Sequence, residues 1–425
     1  MKAAIALLFL SPAFACAQWT LGLRGFGEPA SYQTYTDGFT RANGALGSNW
    51  AEPFQGNAAL TINSDLVYSA APGVGVTHSI EVYEAGTFSN NQYSIITVTS
   101  GIGTDTPGQA GQFAAVRGST TTTTSGQGYY NDAVATGSDF GGLSLYRIGN
   151  SASTDFCGVT PTGPDYAIGD THELDVAGTN PVFFWSKHNG VVDATCFTTA
   201  YAFSGGEPGL GVLDPGATPQ VSTGAWQGGS LPNYSATPSD NFTRANSGWL
   251  GVNWWMDSNF SATAGYFGIT SNAAAMQGTA TNRGGVALWT TPMAANHSST
   301  ITIGNLASGD WLGAAVRGSL GAEPDSGGTE TYYLAIDDGG SIFLFAYNAS
   351  TYETLWGPTT YTGAVNTIEL DATGSSPVSL VVKINGVQFG STFTDSTYNF
   401  TGTYAGLGAF GSANSNITGW SGANL

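Results

Sequence analysis

The chain has 425 residues and a formal net charge of -19 from 10 basic and 29 acidic side chains. That balance excludes the Lys and Arg surplus through which nucleic acid or an anionic membrane surface is bound. Only 9% of residues are charged, 61 are glycine and 41% are hydrophobic, so there is material for real cores but little to decorate exposed helices, and neither disorder nor one small disulfide-stapled module fits.

Met1-Lys2, an apolar run from Ala3 to Leu10, Pro12 and Ala15-Cys16-Ala17 form the pattern of a secretory signal peptide over residues 1–17, and the run is too short to span a bilayer. The expected location is therefore extracellular or cell-surface, with no membrane span. Residues 18–36 follow as a leader. The first domain is expected over 37–231, with strands at Ser94 to Thr99, Gln112 to Arg117 and Leu143 to Ile148. With Cys16 removed, Cys157 and Cys196 are left, and an even pair in an oxidising compartment predicts one disulfide. Asn189-Gly190 between apolar alternations predicts a hairpin turn, because both positions need positive φ.

A seven-residue linker from Pro232 to Pro238 lies within 232–239, and beyond it the chain repeats itself over 240–425. Asp37-Gly38-Phe39-Thr40-Arg41-Ala42-Asn43 returns as Asp240-Asn241-Phe242-Thr243-Arg244-Ala245-Asn246, and Trp50 as Trp254. Ala114-Ala115-Val116-Arg117-Gly118-Ser119 returns as Ala314-Ala315-Val316-Arg317-Gly318-Ser319, Glu173-Leu174-Asp175 as Glu369-Leu370-Asp371, and Trp226 as Trp420. A unit of this size is a whole domain in tandem rather than a solenoid repeat. In the second unit, Tyr332 to Ile336 and Ile342 to Tyr347 read as strands. Ile368, Leu370 and Ala372 alternate with Glu369 and Asp371, and Asn385-Gly386 repeats the hairpin. Short strands between Gly, Pro, Asn and Ser clusters predict an all-β chain of two tandem antiparallel β-sandwiches.

The opening Asp-x-Phe-x-Arg-Ala-Asn, the Leu-Gly-x-Asn-Trp after it, the late Asn-Gly-Val hairpin, the Gly-Leu-Gly strand and the closing Trp resemble the concanavalin A-like lectin and glucanase superfamily, in its laminin G-like and pentraxin-like jelly rolls. The resemblance covers most of 37–425, twice. It implies jelly-roll domains and a secreted, non-catalytic glycan-binding or adhesion protein, whose partner is an extracellular polysaccharide or glycoconjugate and whose two sites would gain avidity on a polymer. The alternatives are a structural protein of a cell envelope, filament or virion, and a secreted polysaccharide hydrolase.

Trp249, Trp255, Trp311 and Trp356 have no Trp counterpart in the first repeat and are the glycan-stacking candidates, since flat sugar faces stack on aromatic rings. For a hydrolase the candidates are Glu173, Asp175, Glu369 and Asp371. The glucanase pattern, though, continues to a second Glu, and here Ala177-Gly178 and Thr373-Gly374 stand in its place, so the general acid is missing from either strand. No cofactor is expected beyond calcium, which such folds hold with loop carboxylates and for which Asp337 and Asp338 are the candidates.

Overall fold

The computed structural model describes residues 33–52, 59–70, 78–100, 111–119, 128–133, 143–149, 152–159, 166–199, 202–213, 222–233, 235, 237–257, 266–277, 283–320, 330–348 and 351–425. The expected signal peptide at 1–17 and leader residues 18–32 lie outside them.

Among the described residues, the period-two runs form four sheets whose neighbouring strands run antiparallel. In the first half, one sheet runs Val191–Thr198, Val182–His188, Thr171–Ala177, Gln92–Ser100, Ser222–Ser230, Leu66–Ser69, Leu60–Asn63 and Gly44–Ala45, with Thr34–Asp37 also on Ser222–Ser230. Against it packs a sheet of Ala152–Val159, Leu143–Gly149, Gly128–Ala133, Gly111–Gly118, Glu207–Leu213, His78–Tyr83 and Trp50–Ala51. In the second half, one sheet runs Phe267–Thr270, Ala273–Met276, Asn416–Asn424, His297–Asn305, Thr367–Thr373, Val378–Ile384 and Val387–Gln388. Its partner runs Trp254–Asp257, Arg283–Trp289, Tyr404–Gly411, Trp311–Ser319, Thr331–Asp337, Ser341–Asn348 and Thr351–Thr360. Each half is thus an all-β sandwich, and the strand Thr34–Asp37 brings Thr34, Tyr35 and Thr36 of the expected leader into the first.

The alternation in sequence is the alternation of faces. Ile368, Leu370 and Ala372 are fully buried, while Glu369 and Asp371 stand on the other side of the strand. Both hairpin turns have the backbone that Asn-Gly was expected to supply, with φ of 51° and 77° at Asn189-Gly190 and again at Asn385-Gly386.

The repeated opening motif ties each sandwich at one corner. Trp50 packs on Phe39 and Trp226 at ring separations of 5.8 and 4.9 Å, and Trp254 on Phe242 and Trp420 at 6.0 and 4.8 Å. The indole N–H groups donate to Asp37 Oδ2 and Asp240 Oδ2 at 3.0 and 2.9 Å, and Arg41 and Arg244 bind the same two carboxylates at 2.6 Å. Arg41 and Arg244 therefore hold strand ends. The linker is pinned at both ends: Asn91 Nδ2 donates to the Pro232 carbonyl at 2.9 Å and the Gly422 amide to the Pro238 carbonyl at 2.7 Å.

A second repeated tie is a buried arginine. Arg117 and Arg317 have φ of 54° and 56°, and their guanidinium groups donate to the carbonyls of Gly178 and Gly374 at 2.5 Å. The Arg117 amide donates to Gln92 Oε1 at 2.9 Å, and the Arg317 amide donates to His297 Nε2 at 3.0 Å. His297 Nδ1 lies 2.8 Å from the Ala294 carbonyl, so Nδ1 carries the proton and the ring is neutral. Burial holds the His297 pKa below its ordinary 6.5. Stability from this residue is full above the unfolded value and is lost as pH falls through the folded one. His297→Gln, which installs the residue the first sandwich uses, should keep the Arg317 contact and flatten the loss of stability below pH 6.5. Urea unfolding of both proteins at a series of acid pH values checks this; equal slopes would refute it.

Candidate functional site

The structure divides the four tryptophans. Trp249 and Trp255 are 3% and 5% exposed and are not available for stacking. They pack where the two sandwiches meet, against Trp185 and Phe197 at ring separations of 5.6 and 6.0 Å. Trp185 Nε1 donates to the Trp254 carbonyl at 3.1 Å, Thr195 Oγ1 to the Met256 carbonyl at 2.7 Å, and Val191 forms a parallel bridge with Gly248. A Cβ at Gly248 would stand 2.5 Å from Val191 Cα, so glycine permits this approach. The loop bracketed by the two tryptophans is interface. Trp311 and Trp356 are half-buried; Trp311 stacks on Phe410 at 5.9 Å, and Trp356 meets the Phe389 edge at 5.8 Å.

The covered surface is the outer face of the sheet that carries Glu173 and Asp175. Its register sets Ile95, Glu173 and Lys187 in one row and Tyr93, Asp175, Trp185 and Thr195 in the next. In the second sandwich the same rows read Thr300, Glu369, Lys383 and Ser298, Asp371, Val381. Aromatic and aliphatic side chains on the first face pair it with the second sandwich; the second face is polar, and Thr302 and Thr394 on it are exposed. Among the described residues the two equivalent sheet faces therefore differ: the first is covered and the second is open.

Both Glu-x-Asp pairs are bound by a lysine from the neighbouring strand. Lys187 Nζ lies 3.1 Å from Glu173 Oε1 and hydrogen-bonds Asp175 Oδ2, with all three side chains at 3% exposure or less. This pair is sealed from solvent because the second sandwich covers it. Lys383 Nζ lies 2.7 Å from both Glu369 and Asp371, and this triad stays partly open. Burial works against the Lys383 charge, but the bonds from Asp371 and Glu369 raise its pKa. Asp240 lines a 420 Å³ groove beside this face with Thr300 and Thr302, and it is itself held by Arg244 and the Trp254 indole. A retaining or inverting glycosidase needs one carboxylic acid and one free carboxylate; each pair here shares one ammonium instead.

A cleft of 300 Å³ at one end of the second sandwich gathers different chemistry. Three connections build it: the end of His297–Asn305 supplies Asn305 and Leu306, the turn after Thr331–Asp337 supplies Asp337 and Gly339, and the loop before Thr367–Thr373 supplies Tyr361 and Asn366. Asn305 and Asn366 are exposed, and Tyr361 and Leu306 are half-buried. The loop is fixed from below by Asn385, whose Nδ2 donates to the Ala364 carbonyl at 2.8 Å and whose Oδ1 accepts from the Asn366 amide at 2.8 Å. Tyr361 continues into Phe389 at 5.4 Å and so to Trp356, which brings one expected tryptophan and one expected aspartate to the same end of the sandwich. Trp311 does not line the cleft.

Asp337 and Asp338 cap their own turn. Asp337 Oδ1 accepts from the Gly339 amide at 2.9 Å, and Asp338 Oδ1 from the Gly340 and Ser341 amides at 3.1 and 2.7 Å. Burial pushes the Asp337 carboxyl up. Among the described residues no three His, Cys, Asp or Glu side chains converge, and the Oδ1 atoms of both aspartates are already engaged by turn amides. The sequence reading missed Tyr361, Asn305, Leu306 and Asn366, which are ordinary loop residues until three connections meet.

No protein-family model matches the chain, and no curated protein does. Solved structures similar to it include the carbohydrate-binding module CBM66 from Bacillus subtilis, at 12% identity over 40% of this chain and 92% of that one, with a TM-score of 0.28. The exoplasmic/lumenal domain of VIP36 in its Ca2+/Man3GlcNAc-bound form is 12% identical over 41% of this chain and 84% of its own, with a TM-score of 0.29. A glycoside hydrolase family 16 endo-glucanase from Bacteroides ovatus is 10% identical over 44% and 99%, also with a TM-score of 0.29. Likenesses of this size carry no argument about what the chain binds. Among the described residues no helix is long and apolar enough to cross a membrane.

Proposed function

We propose that the protein is a secreted, non-catalytic glycan-binding protein of the concanavalin A-like kind, and that the cleft at Asp337, Tyr361 and Asn366 takes the sugar. The observation that carries this reading is the lining of that cleft: a half-buried tyrosine ring and a leucine beside two exposed asparagines and an aspartate. A sugar offers a flat C–H face to the first kind of surface and hydroxyls to the second. The lysine-bound state of both Glu-x-Asp pairs speaks for binding without cleavage. Secretion also favours a Cys157–Cys196 bridge. Cys196 is buried in Val191–Thr198, and Ala152–Val159, which carries Cys157, packs against that strand from the facing sheet; the Cys157 side chain lies outside the described residues.

Calorimetry and affinity electrophoresis against a panel of extracellular polysaccharides test the proposal. At least one should bind, and Tyr361→Ala should weaken it roughly fivefold, which corresponds to the about 1 kcal/mol that a ring contact supplies. Asn366→Ala should weaken it less, and His297→Gln not at all. Failure of the whole panel, or unchanged binding by Tyr361→Ala, would remove the cleft from consideration.

A further inference from the structure

The buried triad of the first sandwich is placed for a reaction that its open counterpart is not. We propose that Lys187 and Asp175 condense within the folded chain to an isopeptide bond, with Glu173 moving the protons. The groups are already in contact: Lys187 Nζ hydrogen-bonds Asp175 Oδ2 and lies 3.1 Å from Glu173 Oε1. Lys187 and Asp175 side chains are 0% exposed and Glu173 is 3% exposed. The Trp249 ring lies over the ammonium, its centroid 3.3 Å from Nζ, and Trp185 stands opposite Asp175 in the ladder.

Three physical terms favour the bond. An ammonium and two carboxylates held away from water carry a desolvation penalty of several kcal/mol per ion, and condensation leaves one charge where there were three. Fixed neighbours react as if at very high concentration, so the ordinary slowness of amide formation from amine and acid is offset. Burial also removes the water that would drive the reverse hydrolysis. In the step itself Glu173 takes a proton from the ammonium, the freed nitrogen pair attacks Asp175 Cγ, and a C–N bond forms as a Cγ–O bond breaks. Nitrogen loses two protons in all, and they leave with the oxygen as one water. Nothing is oxidised or reduced and no co-reactant enters.

The second sandwich supplies the control. Lys383, Glu369 and Asp371 make the same contacts at 2.7 Å, but their side chains are 28%, 23% and 12% exposed. Those three side chains keep contact with water, so the desolvation that favours condensation in the first sandwich is weaker there and they remain an ion-pair triad.

Peptide mapping by mass spectrometry of the purified full chain is the test. Phe183, Phe184 and Trp185 lie between Asp175 and Lys187, so chymotrypsin separates the two residues unless they are joined. Expected are a joined pair of peptides lighter by one water than their sum, no tryptic cleavage after Lys187, and normal cleavage after Lys383. Glu173→Gln should leave the two peptides separate while keeping the fold, as read by circular dichroism. Free Lys187 and Asp175 peptides from the unmodified protein overturn the proposal, as does a cross-link that runs to Glu173. A bond formed in full by Glu173→Gln overturns the role given to Glu173.

Discussion

Trp249→Ala should lower the unfolding free energy by about 3 to 5 kcal/mol, the range for truncating a large aromatic in a packed interior. The site is unforgiving for two reasons. Trp249 is 3% exposed against Trp185, so its removal opens a cavity between rigid β-sandwiches rather than a gap that loops can fill. Its ring also packs directly on the Lys187 side chain, so a second buried contact is lost with it. Trp249→Phe should recover part of the loss by refilling the space. Equilibrium denaturation followed by tryptophan fluorescence measures this, and a loss below about 1 kcal/mol for Trp249→Ala, within the scatter of surface substitutions, would mean that the contact between the sandwiches is not tight in solution.

Glu81→Gln should stabilise the protein at pH 8 by about 2 to 3 kcal/mol and have little effect near pH 4.5. Burial pushes the Glu81 carboxyl up to about 7, against the opposing effect of the Leu60 amide, which donates to Oε1 at 2.8 Å; nearby Glu52 adds to the rise. With the folded pKa above the unfolded value of 4.5, the stability Glu81 contributes is complete below pH 4.5 and is lost as pH rises to about 7. Gln keeps an acceptor for Leu60 and never ionises. Glu207, also raised to about 7 by burial, leaves a smaller slope of the same sign in the variant. His297 acts in the opposite direction over the acid part of this window, so variant and unmodified protein are compared at each pH. Parallel stability curves from pH 4.5 to 8 would show that Glu81 ionises freely in the fold.

The amino-acid sequence by itself determined the local structure. Alternation at Ile368 to Ala372, the Asn-Gly turns and the repeated Phe, Arg and Trp of the opening motif each depend on neighbours within a strand or a hairpin, or on a contact repeated in both halves. For that reason strands, turns and the repeat could be read in advance. The fate of the distinctive residues was decided by tertiary structure alone. Trp249 and Trp356 are the same residue type, one in a loop and one in the strand Thr351–Thr360, and only the docking of the sandwiches buries the first in an interface while the second stays half-buried against Phe389. Glu173 and Glu369 occupy the same register position next to a lysine, yet Tyr93, Ile95, Trp185 and Phe197 make the first face apolar enough to be covered, while Ser298, Thr300 and Val381 leave the second in water. The Asp337 cleft is assembled from three connections far apart in the chain, and no spacing along a sequence reports how loop ends converge in space. Burial and convergence are properties of the whole packed surface, so they fix which of two identical motifs is sealed and which is open.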